Sequence, residues 1–415
     1  MHDPATKPIV LWLHGAAASG KSVLSSFIID HLAQLGLPCQ YFFVRFGDQS
    51  KRSLSTLLRS LALQVAYCLP AFRQGILRLI GEATKADTAD AQTIWNRIFK
   101  TILFKIRLQS PLFWVVDGLE ESDDPRAFIR MISEVNLADL PIRILVVSRK
   151  THGLVSSFQK LSKEVQLHTI PYDGSPNDIR HYIDRELDVM GNDTFHTNVK
   201  SQILERAQGN FLWVHLAVQR INDCHTAANV ERALQQLPSG MEALYDRMAQ
   251  SVAALPQEVD KRLASNILAW AACALRLLTI EELSLVLEGE VVRPLDLQRS
   301  IGDLCGGFVV VDNDGNVAMI HQTAREYLID EHIRPFSIDR SSAHEQLFLR
   351  CMFCLTDLGL RSKMNRRQAP AFLDYAATSW FYHLSNSSGS SPKVFNTLKS
   401  FFKSSSVLTW IQYLA

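Results

Sequence analysis

The hydrophobic pattern of the first third of the chain alternates between two kinds of segment. Short apolar runs, with the length of buried strands, are separated by longer stretches with helical periodicity. The apolar runs are Ile9–Leu13, Tyr41–Phe46, Leu112–Val116 and Ile144–Val147, and the helical stretches include Ser22–Leu35, Leu54–Tyr67 and Ile94–Leu108. Strands that are apolar throughout and are separated by helices predict a parallel α/β sheet with helices on both faces.

After residue 175 the strand signal largely stops and helical patterns predominate. They cover Asp178–Met190, Val199–Asn222 and Met241–Ala254. Further on, Thr279 and Glu282 have the spacing of a capping box that opens a short helix. Two apolar runs, Phe308–Val311 and Val317–Ile320, flank an Asp-Asn-Asp-Gly-Asn turn and predict a hairpin, and a helix is predicted at Thr323–Ile329. Helices, a hairpin and a further helix, in this order, predict a winged helix.

The strongest chemical signal follows directly after the first apolar run. Residues 15–22, Gly-Ala-Ala-Ala-Ser-Gly-Lys-Ser, match G-x-x-x-x-G-K-[ST] in full, with a strand predicted before them and a helix after. In such a phosphate loop, backbone N–H groups surround phosphate oxygens, the lysine reaches the β- and γ-phosphates, and the final hydroxyl ligates Mg²⁺. The predicted nucleotide-binding residues are therefore Gly15, Ala16, Ala17, Ala18, Ser19, Gly20, Lys21 and Ser22.

A second metal ligand and a catalytic group are expected at the ends of two other predicted strands. Asp117 ends the third apolar run and is predicted to hold Mg²⁺ with Ser22. Either Glu120 or Glu121, with Glu121 favoured, is predicted to orient or deprotonate a water molecule. An ordinary buried strand that runs into an acidic turn has the same pattern. Arg149 follows the fourth run, where it either senses the γ-phosphate or pairs with the acidic residues Glu120 and Glu121.

The nucleotide is predicted to be ATP or ADP. Residues 84–87, Thr-Lys-Ala-Asp, fit the guanine-reading pattern [NT]-K-x-D, but they precede Asp117, whereas GTPases place this motif after their D-x-x-G element. That element is absent because position 120 is Glu. We interpret residues 84–87 as a solvated loop.

Composition and charge exclude several classes of protein. The 415 residues are 47% hydrophobic and 20% charged, and 43 basic against 42 acidic residues leave a net charge of +1, so no bulk field attracts nucleic acid or an anionic membrane. Seven scattered cysteines, an odd number, are typical of a reducing compartment. The apolar stretch Ile267–Leu275 is too short to span a bilayer. We therefore expect a cytoplasmic protein without membrane or nucleic-acid partners.

Matches spread along the chain carry a resemblance to a known family. They include Ile9–Ser26, Val115–Glu121, Arg143–Arg149, Gly209–Val214, Leu237–Gly240, Thr279–Leu283, Gly306–Val310, Ile320–Leu328 and Asp374–Ala377. The sequence resembles a fungal NACHT-type STAND P-loop ATPase, related to nephrocystin-like and NOD-like receptor modules. The sequence departs from the family pattern at two positions. Glu120 replaces the usual Asp, and Asn210 leaves its segment without the proline seen in some relatives.

The resemblance implies four domains and a switch. Residues 1–174 are expected to form the nucleotide-binding domain, 175–255 a helical lid, 256–335 the winged helix, and 336–415 a C-terminal helical segment that leads toward a repeat region. The resemblance also assigns His321 to contact with the ADP β-phosphate in a closed form. Exchange of ADP for ATP is expected to open the module and permit self-oligomerisation, while effector and repeat domains are expected to be absent from this chain.

The main hypothesis is an ATP-dependent switch that hydrolyses its nucleotide slowly. Other hypotheses about function stay open. The chain could be a catalytically inactive interaction scaffold that binds nucleotide structurally or not at all. A small-molecule kinase is weaker, because no acceptor site or arginine-rich lid is visible. The Cys-x-x-Cys pair at 351–354 lies in an apolar helical run without a second pair, which does not favour zinc. Acidic residues at 281, 282 and 288 argue against DNA binding by the winged helix.

Overall fold

The computed structural model describes residues 10–45, 48–82, 90–137, 140–163, 165–172, 176–188, 193–288, 294–330, 334–388 and 391–414. The chain divides into two compact units, Met1–Met241 and Glu242–Ala415. Each buries its own set of large apolar side chains. The finer division into four domains stays a prediction.

The first unit is built on a five-stranded parallel sheet, as the sequence predicts. Its strands are β1 (Val10–His14), β2 (Cys39–Phe43), β3 (Leu112–Asp117), β4 (Ile142–Ser148) and β5 (Leu167–Pro171), in the spatial order β2-β3-β4-β1-β5. β1 to β4 overlap the four apolar runs, although β2 begins two residues before its run and ends at Phe43. β5 was not predicted, because this edge strand has no fully buried residue and therefore shows no continuous apolar run.

Helices connect these strands and cover the sheet. They are α1 (Lys21–Gln34), α2 (Gln49–Arg52), α3 (Leu54–Cys68), α4 (Pro70–Glu82), α5 (Ala91–Ile94), α6 (Pro125–Leu137) and α7 (His152–Leu161). The stretch predicted as one helix at 94–108 is instead α5, a π-helix at Trp95–Lys100 and a 3₁₀ turn at Leu103–Lys105. This irregular segment packs the Trp95 and Phe99 rings edge-on against Trp114 of β3, which anchors it to the sheet core.

The rest of the first unit is helical. It contains α8 (Pro176–Glu186), α9 (Asp193–Ala207), α10 (Phe211–Asn222) and α11 (Ala227–Gln236), and α12 (Met241–Ala253) begins at the boundary between the units. The prediction of one continuous helix at 199–222 is wrong. Gln208 and Gly209 have φ values of 49° and 76°, and this left-handed pair ends α9. Asn210 then caps α10, since its side chain accepts a hydrogen bond from the Trp213 N–H.

The second unit contains the predicted winged helix. In chain order it has α13 (Glu258–Cys273), β6 (Leu278–Thr279), α14 (Ile280–Leu287), α15 (Leu297–Leu304), β7 (Val309–Val311), β8 (Asn316–Met319) and α16 (Gln322–Leu328). The three strands are antiparallel in the order β6-β8-β7. The predicted capping box is present at the start of α14, where Thr279 and Glu282 each accept a bond from the other's backbone N–H.

In the part of the chain that the structure describes, five helices follow the winged helix. They are α17 (Arg340–Leu355), α18 (Leu360–Asn365), α19 (Leu373–Asn386), α20 (Pro392–Lys403) and α21 (Ser406–Leu414). Tyr375 of α19 joins them to the end of α13, because its hydroxyl oxygen accepts a bond from the Leu275 N–H at 3.0 Å. Of the helices within the described ranges, none combines the length and apolar character that crossing a bilayer requires.

Candidate phosphate-binding site

The site begins where β1 passes into α1, at residues 15–20. A Cβ on Gly15 would lie 1.6 Å from the Tyr172 carbonyl oxygen, directly after β5, so only glycine fits at this position. At the other end, Ala18 and Gly20 have φ values of 57° and 89°. Left-handed residues turn successive N–H groups toward the same side of a loop, which is the shape that a phosphate requires.

Lys21 points back into this loop. Its ammonium group donates hydrogen bonds to the carbonyl oxygens of Gly15, at 3.2 Å, and of Ala16. Burial lowers the pKa of Lys21, and the nearby carboxylates of Asp117, Glu120 and Glu121 oppose that shift. The predicted phosphate-binding lysine is therefore a partly buried cation among acidic groups and the loop's own oxygens.

The two predicted metal ligands lie side by side. The Ser22 hydroxyl donates to Asp117 Oδ2 at 2.5 Å, and the Ser25 hydroxyl is 3.2 Å from Asp117 Oδ1. Asp117 ends β3 and is only 5% exposed. Burial raises the pKa of Asp117, and the two serine hydrogen bonds oppose the rise. A hydroxyl next to a carboxylate is a set of hard oxygen donors that fits Mg²⁺.

Two further acidic residues follow β3 in the 3₁₀ turn Leu119–Glu121. Glu120 Oε1 lies 3.6 Å from Arg149 Nε, and Glu120 Oε2 is buried without a hydrogen-bond partner within the described residues. Burial raises the pKa of Glu120, and the neighbouring Arg149 opposes the shift. Arg149 was expected either to sense the γ-phosphate or to pair with the acidic turn, and the structure contains the pair with Glu120. The catalytic roles of Glu121 and Arg149 stay predictions.

His321 lies in the second unit, where it caps α16. Its Nδ1 accepts a bond from the Thr323 N–H at 3.2 Å and is 2.7 Å from the Thr323 hydroxyl. That hydroxyl is in turn hydrogen-bonded to Tyr245 at 2.7 Å. Since Nδ1 accepts, the ring proton lies on Nε2. The predicted contact of His321 with ADP stays a prediction.

Three residues of this site were missed from the sequence. Ser25 follows Ser22 at the i,i+3 spacing of a helix face, a signal that was available in the predicted helix. Tyr172 limits the space at Gly15, and Phe211 donates its N–H to the Ala18 carbonyl at 3.0 Å. Both are distant in sequence from the loop, and no local pattern identifies them. The suspected guanine motif at 84–87 lies outside the described residues.

The Cys-x-x-Cys pair at 351–354 is the other sequence motif with metal-binding potential, and no further metal-binding side chains join it among the described residues. Cys351 is buried and Cys354 half-buried on α17, and burial raises the pKa of both thiols. Among the residues that the structure describes, no group of three or more His, Cys, Asp or Glu side chains could hold a metal ion. The Ser22–Asp117 pair is thus the arrangement to consider for Mg²⁺.

Two protein families match parts of the chain. Residues 1–149 match the family described as Nephrocystin 3, N-terminal. Residues 247–339 match the winged helix domain of GPI inositol-deacylase. Among curated proteins, no sequence matches this chain. The first match covers β1 to β4 with the phosphate loop, and the second covers the described winged helix.

Solved structures give weaker similarities. Aeropyrum pernix ORC1 in complex with DNA is 13% identical, with a TM-score of 0.38 over 78% of this chain and 87% of that one. Drosophila ORC bound to DNA is 13% identical, with a TM-score of 0.34 over 80% and 92%. The Thermotoga maritima RuvB branch migration motor is 13% identical, with a TM-score of 0.32 over 79% and 89%. Similarities of this size carry no inference about the function of this chain.

Proposed function

We propose that this chain, a NACHT-like P-loop NTPase with a winged-helix domain, acts as a STAND-type signalling switch that binds ATP and ADP. The two family matches confirm the resemblance inferred from the sequence, whereas the fungal origin stays a prediction. One observation carries the proposal: the Ser22 hydroxyl and the buried Asp117 carboxylate are in contact beside Lys21. This arrangement combines a cation for phosphate with oxygen donors for a metal.

The proposed roles combine the geometry of the loop with the family resemblance. The N–H groups of residues 15–22 and the ammonium group of Lys21 would hold the phosphates, and Ser22 with Asp117 would hold Mg²⁺. When bound, Mg²⁺ neutralises charge on the phosphate oxygens. Glu121 would position a water molecule, and Arg149, which lies beside Glu120, would respond to the γ-phosphate. His321 would report nucleotide from the winged helix.

The proposed switch has two states. Slow hydrolysis of ATP returns it to a closed ADP form, and exchange for ATP opens it and permits self-association. Moving an equilibrium from 1:99 to 99:1 needs about 5.5 kcal/mol of differential binding. Two charge-assisted hydrogen bonds from an arginine to the added phosphate contribute about 1.5–3 kcal/mol each, so the upper end of their sum reaches this magnitude.

A titration with fluorescent ADP and ATP tests the assignment of the site. Wild-type protein is expected to bind both nucleotides, and Lys21→Ala is expected to lose binding. Size-exclusion chromatography with light scattering then compares the ADP and ATP forms, and the proposal expects a larger species with ATP. Equal binding by Lys21→Ala would refute the site, and one mass in both nucleotides would refute ATP-dependent assembly.

A catalytically inactive scaffold is the second candidate. It is favoured by the bonds from Lys21 to the Gly15 and Ala16 carbonyls, which tie the cation to its own loop. This reading expects no phosphate release above background, and no change in partner binding when Glu121 is replaced by Gln. Turnover that Glu121→Gln abolishes would exclude it.

We propose no nucleic-acid partner. The net charge is +1, and α14 of the winged helix carries Glu281 and Glu282 near its start. Protein groups that bind phosphate backbones are basic, and their affinity falls steeply with salt. A fluorescence anisotropy titration with duplex DNA at low salt is expected to give no salt-dependent binding, and a steep salt dependence would contradict this proposal.

A further inference from the structure

The first residue of α10 contacts the phosphate loop at two points. The Phe211 N–H donates to the Ala18 carbonyl at 3.0 Å. The Phe211 ring lies over Gly20, where an added Cβ would be 3.3 Å from its Cδ2 atom and 3.4 Å from Cε2. One contact lies on each side of Ser19, at the two left-handed residues of the loop. A residue almost 200 positions later in the chain thus touches the part of the loop with the least favourable backbone conformation.

Phe211 is itself held firmly in the helical part of the first unit. Asn210 caps the helix by accepting from the Trp213 N–H at 3.0 Å, and the Trp213 indole donates to the Pro238 carbonyl at 3.1 Å. On the other side, the Tyr182 ring meets the Phe211 ring edge-on, with centroids 6.3 Å apart. Tyr182 is in turn hydrogen-bonded to His215 at 2.8 Å. The position of Phe211 is therefore fixed by α8, α10 and the segment after α11.

These contacts bear on phosphate binding because the loop acts through its backbone. Ala18 is not glycine, so its left-handed conformation is unfavourable unless neighbouring contacts stabilise it. The bond from Phe211 holds the Ala18 carbonyl on one side of the loop, and the following N–H groups are oriented accordingly. The ring limits the movement of Gly20, which has no side chain to restrict its own conformation.

We propose that Phe211 is a positioning residue for phosphate binding, which holds residues 18–20 in their binding conformation and couples this loop to the helical segment α8–α11. The inference rests on the proposed nucleotide binding and extends it. A displacement of α10 changes the shape of the phosphate loop directly, and phosphate binding in turn restrains α10. Phe211 acts here on the phosphate loop and not on the nucleotide base.

The test compares Phe211→Ala, Phe211→Leu and the neighbouring half-buried control Leu212→Ala. Affinities for fluorescent ADP and for inorganic tripolyphosphate, which has no base, are measured by direct titration and by displacement. Phe211→Ala is expected to weaken both ligands by the same factor, about tenfold. Phe211→Leu retains apolar bulk over Gly20 and is expected to recover most of the loss, and Leu212→Ala is expected to bind like wild type.

Hydrogen exchange of residues 15–22 supplies a second measurement that needs no ligand. Faster exchange of these amides in Phe211→Ala, with unchanged exchange in the sheet strands, is the expected result. If the wild type binds neither ligand, the proposed function fails, while the exchange comparison still tests the contact. Weaker ADP binding with unchanged tripolyphosphate binding would instead place the ring against the base and overturn the proposal, as would unchanged exchange in the loop.

Discussion

Two regions of the molecule bury polar groups in different ways. At the phosphate loop, burial raises the pKa of the carboxylates of Asp117 and Glu120, and one buried Glu120 oxygen has no hydrogen-bond partner among the described residues. In the second unit, Tyr375, His383 and His344 form a buried chain that joins α19 to α17, with distances of 2.8 Å and 2.9 Å. The first region concentrates carboxyl groups, whereas the second contains groups that pair with one another, except at His344 Nε2.

The hydrogen bonds of the Tyr375–His383–His344 network can be assigned donors and acceptors in order. The Tyr375 oxygen accepts from the Leu275 N–H, and its own proton can go to His383 Nε2. In that arrangement His383 donates from Nδ1 to His344 Nδ1, and the His344 proton lies on Nε2, which is buried without a hydrogen-bond partner among the described residues. Burial lowers the pKa of His344 to about 4 and that of His383 to about 3, so both rings are neutral at pH 7.

This difference indicates what distinguishes a binding site from a structural network. The histidine chain is neutral and satisfies most of its own hydrogen bonds, so it stabilises helix packing. The carboxylates at the phosphate loop are unfavourable where they lie, and a cation that binds there would stabilise them. Buried polarity occurs in both regions, but of the two only the phosphate loop has buried carboxylates with raised pKa values beside left-handed residues.

The largest expected effect is on nucleotide binding. Lys21→Ala removes the buried cation of the loop and is expected to weaken ADP binding about 100-fold, or about 2.7 kcal/mol. Lys51→Ala, which removes an exposed lysine that pairs with Asp48, is the matched control. Isothermal titration calorimetry measures the ADP affinity of both variants. An equal loss of affinity in the two would show that Lys21 contributes no more than an exposed surface lysine.

Acidification is expected to affect the two regions in opposite directions. The folded pKa values of His344 and His383 lie below the usual 6.5, so the unfolded chain binds more protons and the second unit loses stability as pH falls from 6.5 toward 4. At pH 5 the loss is about 2 kcal/mol per histidine. Asp117 and Glu120 have pKa values raised above the usual 3.8 and 4.5, so the folded state binds more protons and acidification toward those values stabilises the first unit.

Urea unfolding at pH 7 and pH 5 checks these signs, with fragments from each unit identified after a proteolytic pulse. The variant His344→Gln is expected to be less stable at pH 7 and to show a weaker dependence on pH. If the second unit were equally stable at both pH values, the histidine chain would not be a buried neutral network.

A smaller loss of stability is expected when the network loses one hydroxyl. Tyr375→Phe leaves the Leu275 N–H and His383 Nε2 without their partner and is expected to cost about 1.5 kcal/mol. Nucleotide affinity is expected to stay at the wild-type value. The control Tyr67→Phe changes an exposed ring and is expected to be neutral. Chemical denaturation and an ADP titration give the two values, and weaker ADP binding by Tyr375→Phe would show that the network does more than support packing.

The smallest expected effect has the opposite sign. Asp117→Asn removes a buried carboxylate with a raised pKa and is expected to stabilise the nucleotide-free protein slightly. The same variant is expected to lose the dependence of nucleotide affinity on Mg²⁺. Thermal denaturation and titrations with and without Mg²⁺ measure these effects, and a variant that is less stable than wild type would contradict the assignment of unfavourable charge.

The sequence allowed the sheet and the loop to be predicted because both have local signals. β1, β3 and β4 are largely buried and form apolar runs in the sequence, and Gly15 to Ser22 form a contiguous motif. β2 is less buried, but its segment Tyr41–Phe43 is apolar and was included in a predicted run. The edge strand β5 has no such run, and Gln208 adopts a left-handed conformation that is unusual for its residue type. Both features depend on tertiary context.

The surroundings of the loop could be predicted only in part. Ser22 and Asp117 were expected to meet because the motif and the end of β3 both point to the same edge of the sheet. The contacts of Tyr172 with Gly15 and of Phe211 with Gly20 join positions far apart in the chain, and neither residue type suggests such a partner. A single sequence does not show which distant residue limits the space at a glycine.

The position of β1 in the sheet has a consequence for synthesis. Val10 pairs with Ile144 on one side and with Leu167 on the other, so the strand that precedes the phosphate loop has no neighbour until β4 and β5 have left the ribosome. At about 5–20 residues per second, this interval is on the order of 10 s. Parallel pairing at such sequence distance also folds slowly. The apolar segment of β1 is therefore exposed in the nascent chain and is an expected substrate for chaperones.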